Sequence, residues 1–189
     1  LITWLDAANI SSITSSAGAV SLWGDLSGMK QIVSQGTANK QPITNSITLN
    51  GLNVLSFPSL GNKVFGFNNN GAPILGSIGG GSATIFMVSK SIGSAGIANP
   101  QLFRMSLAGA TKFAFQENST STSMSVQWGT VLSIPFTKNT WNIFTCYREG
   151  VNKGISLNGG AYSTDAGATD FTVDGGAIGA GSTTPINPW

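Results

Sequence analysis

The chain has 189 residues, of which 8% are charged and 41% hydrophobic, and its formal net charge is +2. This length buries one sizeable core, so we expect a single domain over residues 1–189. The Lys and Arg residues are scattered and no apolar run is long enough to cross a bilayer, which excludes nucleic acid and membrane insertion as expected partners.

Runs of β-branched and aromatic residues bounded by Gly, Asn, Pro or Ser recur along the chain, a pattern typical of antiparallel strands. Only residues 6–13 suggest a short helical turn, which Asp6 would cap. The predicted strands are 2–5, 19–23, 41–49, 52–57, 63–67, 83–90, 101–106, 111–117, 123–128, 130–134, 141–148, 153–158 and 171–178.

Two of these strands indicate how the sheets are arranged. In 83–90 both alternating sets of side chains are largely apolar, which predicts a central strand between two layers. In 111–117 one set is polar, which predicts a face in contact with water. Fully buried strands beside half-exposed ones predict two packed antiparallel sheets.

Several short motifs follow one another along the chain, and their order is informative. They are Trp4-Leu5-Asp6-Ala7, Trp23-x-Asp25-x-Ser27-Gly28, Gln41-Pro42, Asn50-Gly51, Phe57, Thr84-Ile85-Phe86, Trp141 and Leu157-Asn158-Gly159. This order resembles the concanavalin A-like, laminin-G-like jelly-roll domains of bacterial surface proteins and bacteriophage virion proteins. The resemblance implies an all-β, two-sheet antiparallel jelly-roll β-sandwich.

The resemblance also implies a final apolar strand that this sequence lacks. Members of the family usually place it after an Ile-Gly segment like Ala177-Ile178-Gly179, whereas the sequence given ends at Trp189. A jelly roll without its last strand exposes unpaired backbone groups to a neighbour. Three alternatives stay open: the strand lies beyond residue 189, another subunit supplies it, or the fold does not need it.

The residues that catalysis most often uses are sparse. The chain has no histidine, which removes Ser-His-Asp and Cys-His arrangements. Jelly-roll glycosidases resemble one another in a strand-borne Glu-x-Asp-x-x-Glu run, and none is present here. The one cysteine, Cys146, lies in an apolar run and is predicted to be a buried structural thiol. We therefore predict that the chain is not an enzyme and requires no cofactor.

Asp25 is the one candidate metal ligand. Its position two residues before Ser27 favours a structural role, because both side chains can accept or donate hydrogen bonds within their own turn. The alternative is one calcium ion, since some laminin-G-like domains bind calcium through a loop aspartate and backbone carbonyls.

Carbohydrate binding normally needs an aromatic ring that stacks on a sugar, together with amides and hydroxyls that pair with its hydroxyl groups. We exclude Trp4, Trp23 and Trp141 because they occupy positions that the resemblance assigns to the core. The candidate rings are Trp128 and Tyr147, and the candidate polar partners are Arg104, Gln127, Asn68, Asn69 and Asn70. For each ring the alternative is a place in the core or on a sheet face.

Two classes of function remain. We favour a non-catalytic virion surface protein, such as a head decoration, fibre or tail component, that self-associates or docks on other virion subunits and can bind cell-surface polysaccharide. The alternative is a carbohydrate-binding module or lectin of a secreted bacterial protein. Both place the chain on a virion surface or outside the cell, and self-association separates them.

Overall fold

A computed structural model describes residues 3–58, 63–67, 77–78, 81–92, 101–107, 110–118, 122–169, 171–172 and 175–179. Most strands of this part of the chain form two sheets of nine and four strands, here called the large sheet and the small sheet. Every pairing between named strands is antiparallel. The predicted jelly-roll β-sandwich is therefore confirmed.

Both sheets are given in spatial order, with the strands numbered along the chain. The large sheet is β1 (Ile13–Ser16), β2 (Ala19–Gly24), β3 (Ile32–Ser34), β6 (Phe65–Phe67), β17 (Gly175–Ile178), β9 (Gln101–Leu107), β10 (Ala110–Glu117), β11 (Ser123–Trp128) and β12 (Thr130–Pro135). The small sheet is β15 (Ser163–Ala166), β14 (Asn152–Leu157), β13 (Asn142–Glu149) and β8 (Ser82–Ser89). Two short ribbons pair β4 (Thr48–Leu49) with β5 (Leu52–Asn53), and β7 (Ser77–Ile78) with β16 (Phe171–Thr172).

The main core lies between the two sheets. Most of its side chains come from β10 and β11 of the large sheet and from β13 and β14 of the small sheet. Along each of these strands, side chains that point into the core alternate with side chains on the outer face. The buried set is Met105, Phe113, Phe115, Met124, Val126, Trp128, Phe144, Cys146, Ile155 and Ala168. Cys146 is buried as predicted, and burial raises the pKa of its thiol to about 12.

Several boundaries differ from the prediction. The sequence does not predict strands β1, β3, β7 and β15. The described part of the predicted strand 2–5 forms no strand, and 41–49 forms only β4 and two isolated bridges at Ile43. The predicted turn at 6–13 is a short 3-10 helix, Ile10–Ser12, preceded by a hydrogen bond from the Ala8 amide to Asp6. No helix in the described part of the chain has the length and apolarity needed to cross a membrane.

The prediction that 83–90 is a central strand is wrong. Within the described residues β8 is an edge strand of the small sheet, paired on one side with β13. One set of its side chains, including Ile85 and Met87, packs against the core, while the other set, including Phe86 and Val88, is exposed. Apolar residues on both faces therefore indicate here an exposed apolar surface rather than a second covering layer.

Candidate functional site

The structure separates the two predicted aromatic rings. Trp128 lies on the inner face of the large sheet with none of its surface exposed, and its ring meets Phe113 edge to face at 5.0 Å between centroids. A ring in this position cannot stack on a sugar, so the prediction of Trp128 as a binding plate is wrong. Trp4 shows the opposite difference: the resemblance predicts a core position for it, whereas its side chain is half exposed.

Arg104 and Gln127 lie together on the outer face of the large sheet. Arg104 on β9 and Gln127 on β11 are both opposite Ala114 on the intervening strand β10, so their side chains lie on either side of Ala114. Arg104 is almost fully buried, and burial lowers the pKa of its guanidinium. Asn68, Asn69 and Asn70 lie outside the described residues.

Tyr147 lies on the opposite side of the sandwich, on the outer face of the small sheet. Its partner across the strand pair is Gly154 on β14, and its ring lies directly over that glycine. A Cβ atom added at Gly154 would lie 2.9 Å from Tyr147 Cζ and closer still to Cε1. The glycine therefore permits the tyrosine ring to lie across the strand.

A second tyrosine completes this corner of the sheet. Tyr162, which precedes β15, is 45% exposed and its ring meets that of Tyr147 at 5.0 Å and 77°. Two aromatic rings thus present surfaces at nearly a right angle. They border an open cleft of about 410 Å³ that is lined by Ser82, Thr84, Tyr147, Arg148, Glu149 and Tyr162.

The polar groups of the cleft come from β8 and β13. Ser82 and Thr84 are exposed on β8 and are paired with Glu149 and Tyr147, respectively. The Arg148 side chain points into the core, where its guanidinium lies 5.9 Å from the centre of the Trp128 ring and its Nε donates to the Gly150 carbonyl at 2.8 Å. Glu149 is exposed, so the charge that the cleft presents to solvent is negative.

Sequence reasoning selected Tyr147 alone from this cleft. The alternation of β13 places Tyr147 and Glu149 on one face, which was a usable signal. A glycine inside a strand, as at Gly154, also marks a place where another group approaches the backbone closely. Tyr162 gave no such signal, because its approach to Tyr147 depends on the pairing of β14 with β15.

Asp25 organises the loop that follows β2. One carboxylate oxygen accepts hydrogen bonds from the backbone amides of Trp4 and Ser27 at 2.6 and 2.9 Å. The other oxygen accepts hydrogen bonds from the Ser27 hydroxyl at 2.5 Å and from the backbone amide of Gln31 at 3.0 Å. Donors of the loop and of the N-terminal segment thus occupy the lone-pair positions of the carboxylate.

The calcium alternative at Asp25 does not fit these contacts. Calcium requires six to eight oxygen ligands in proteins, whereas the groups that point at this carboxylate are mostly N–H donors. Among the described residues, no cluster of three or more His, Cys, Asp or Glu side chains is placed to hold a metal ion.

We expect Asp25 to make stability depend on pH under acidic conditions. Burial acts to raise its pKa, but the hydrogen bonds, led by that of the Ser27 hydroxyl, outweigh burial and bring the pKa below the ordinary 3.8. The stabilisation is therefore complete above 3.8 and is lost as the pH falls through the lower pKa of the folded state. Asp25→Asn should cost about 1 kcal/mol at neutral pH.

Urea unfolding of the wild type and of Asp25→Asn, at neutral pH and below pH 3.8, tests this expectation. The difference between the two proteins should shrink in acid, because protonation removes the charge that the variant already lacks. An equal difference at both pH values would contradict it.

No protein family matches the chain, and no curated protein matches it by sequence. Among solved structures the chain is similar to alginate lyase AlgAT5 from polysaccharide lyase family 7, with 11% identity and a TM-score of 0.45 over 87% of this chain and 73% of that chain. At this distance the likeness concerns the course of the chain alone.

The preferred function from the sequence needs correction on this comparison. We predicted a non-catalytic virion surface protein that is not an enzyme, and the similar structure is that of a lyase, an enzyme named for a polysaccharide. No finding supports a phage or virion origin.

Proposed function

We propose that the chain binds carbohydrate, as a carbohydrate-binding module or lectin, in the cleft between Tyr147 and Tyr162. The observation that carries this proposal is the pair formed by the half-buried Tyr147 ring and the exposed Tyr162 ring, at nearly a right angle beside an open cleft. A sugar ring has an apolar face of C–H groups and an equator of hydroxyl groups, so it needs both an aromatic surface and polar partners.

The Tyr147 ring is the stacking surface in this proposal. Gly154 and Tyr162 restrict where that ring can lie, so little conformational freedom is lost when a ligand stacks on it. The edge-to-face contact leaves part of the Tyr162 ring exposed as a second wall. A single pyranose fits a corner of this kind, and a longer chain continues across the open side of the cleft.

Charge narrows the class of sugar. The Glu149 carboxylate accepts hydrogen bonds from hydroxyl groups and repels other carboxylates, while Ser82 and Thr84 both donate and accept. The exposed charge of the cleft is negative. We therefore expect neutral sugars or sugars with an amino group to bind in preference to uronates.

Screening of an array of neutral, amino and acidic glycans, with and without calcium, tests the proposal. Tyr147→Ala should weaken binding about tenfold or more, because it removes the stacking surface, and Tyr147→Phe should retain most of the affinity. Gly154→Ala should also weaken binding, because its Cβ displaces the tyrosine ring. Calcium should have no effect on binding.

Circular dichroism of each variant confirms that its fold is intact. Val131→Ala is a suitable control, since Val131 is exposed on β12 of the large sheet, away from the cleft. The proposal would be contradicted if no glycan on the array bound the protein, or if the wild type and Tyr147→Ala bound equally well. An extracellular location accords with this function and remains a prediction.

A further inference from the structure

The edge of the small sheet has backbone groups directed away from the sandwich. The backbone N–H of Ile143 on β13 donates to the side-chain oxygen of Asn158 at 2.8 Å, and its carbonyl accepts the backbone N–H of Asn158, also at 2.8 Å. The backbone of Ile143 therefore faces β14. Backbone orientation alternates along a strand, and directly opposed residues of an antiparallel pair share it. The residues of β8 that face β13 are thus those opposite Asn142, Phe144, Cys146 and Arg148.

The other residues of β8 direct their N–H and C=O groups to the open edge. These residues are Ser82, Thr84, Phe86 and Val88, and each of them also has its side chain exposed on the outer face. The strand is paired with β13 in one unbroken register from Ser82 to Ser89, without a bulge. Within the described residues nothing covers this row of donors and acceptors.

This edge lacks the devices that protect other sheet edges. Between Ser82 and Ser89 there is no proline and no charged residue. In contrast, β1 contains a bulge at Thr14 and Ser15, β12 ends in Pro135, and the short β15 carries Asp165. Of the described edges, β8 is the one best suited to accept another strand.

The outer face of β8 is also apolar. Phe86 is 74% exposed and Val88 is 56% exposed, and Ile143, opposite Val88 on β13, is half exposed. Burial of these side chains against a neighbouring strand would remove apolar surface from water.

We propose that two copies of the chain pair antiparallel through β8 about a twofold axis at Phe86, which joins their small sheets into one continuous sheet. Phe86 is the midpoint of Ser82–Lys90, so this register opposes each Phe86 to its copy, Val88 to Thr84, and Lys90 to Ser82. All the opposed residues are of the outward-facing set, as an antiparallel ladder requires.

Charge complementarity selects this register. Lys90 is exposed and continues the outer-face alternation of β8, and Glu149 is exposed beside Ser82 on the adjacent strand. When Lys90 of one copy lies opposite Ser82 of the other, it is two strand spacings, about 10 Å at Cα, from Glu149 of that copy. The two extended side chains span this separation, so the dimer contains two symmetric ion pairs. Because Glu149 also borders the cleft, each pair offsets part of the negative charge that the separate chain presents there.

The partner is therefore a second copy of this chain, and with such an edge self-association does not by itself separate a virion component from a lectin. A twofold interface must be self-complementary, and this edge offers a lysine at one end and a glutamate at the other. The pairing adds strands at the edge and leaves the outer face open, so the Tyr147 clefts of both copies lie on one side of the joined sheet.

Sedimentation equilibrium over a wide range of concentration tests the proposal. The wild type should dimerise reversibly. Val88→Pro should raise the dissociation constant about tenfold or more, because proline removes an N–H that faces the open edge and leaves the ladder with β13 intact. Val88→Thr keeps the branched shape and the N–H, so it should dimerise nearly as well as the wild type.

The register is tested by exchanging the charges. Lys90→Glu and Glu149→Lys should each weaken the dimer about fivefold, and the double variant should regain wild-type affinity. A monomeric wild type, or a dimer that Val88→Pro does not weaken, would overturn the proposal. A double variant that dimerises no better than the single ones would overturn the register.

Discussion

Replacement of Trp128 by alanine is expected to lower the free energy of unfolding by about 3–5 kcal/mol. The side chain is fully buried between the sheets, where it meets Phe113 edge to face and lies below the guanidinium of Arg148. Alanine would leave a cavity that rigid strands on both sides cannot close. It would also remove the ring that covers a buried cation.

Urea denaturation measures this effect, and Trp128→Phe is the matched control. Phenylalanine retains an aromatic ring against Phe113 and should therefore cost clearly less than alanine. While enough protein remains folded, glycan binding at Tyr147 should persist in the alanine variant. A loss below about 1 kcal/mol, the size of an ordinary substitution, would show that Trp128 is not a core residue.

The burial of Trp128 was available in the sequence. In Ser123–Trp128 the side chains alternate, so Met124, Val126 and Trp128 share one face while Ser125 and Gln127 share the other. Trp128 and Gln127 are neighbours in sequence and so lie on opposite faces of one strand. The alternation therefore predicts that Trp128 and Gln127 cannot belong to one site, although their chemical types suit carbohydrate binding.

Other features of the fold could not be predicted in the same way. The strand Ser163–Ala166 consists of Ser, Thr, Asp and Ala, without an apolar alternation, and it forms because β14 offers it a partner. Conversely, apolar residues in 41–49 predicted a strand, yet Ile43 makes only isolated bridges. Whether such a segment forms a strand depends on pairing with a neighbouring strand more than on the β-propensity of its own residues.

The residues of the cleft could likewise be predicted only in part from the sequence. Tyr162 joins the cleft only through the pairing of β14 with β15. The pattern of β13 could place Tyr147 and Glu149 on one outer face, but Gly154 and Thr84 join them only through the registers of β13 with β14 and β8. A change of one residue in either register would turn the partner side chains to the core. Half of the site therefore depends on long-range pairing that local sequence does not encode.

Lys153 is a second residue whose importance appears only in the structure, since its sequence neighbours predict an ordinary strand. It lies on β14 with no exposed surface, and its Nζ donates to the carbonyls of Trp128 and Thr130 at 3.3 and 2.5 Å. It also donates to the Thr130 hydroxyl at 2.5 Å and lies 3.5 Å from an Asp165 carboxylate oxygen. This lysine thus connects the small sheet to the end of β11 and the start of β12 in the large sheet.

We expect Lys153→Ala to lower the free energy of unfolding by about 2–4 kcal/mol, because it leaves a cavity and two carbonyls without this donor. Lys153→Met fills the same volume and carries no charge to desolvate, so its cost should be smaller. Denaturation at neutral pH separates the two variants. Equal stability of Lys153→Ala and the wild type would contradict the proposed connection between the sheets.

The pH dependence of the same experiment tests the buried charge directly. Burial lowers the pKa of Lys153 below its ordinary 10.5, against the opposing attraction of Asp165. Between the folded-state pKa and 10.5 the unfolded chain binds more protons than the folded one, so the contribution of this lysine to stability rises with pH across that interval. Lys153→Met should remove this rise and keep the acid-side dependence caused by Asp25, since the two groups lie in different parts of the sandwich and titrate at opposite ends of the pH scale.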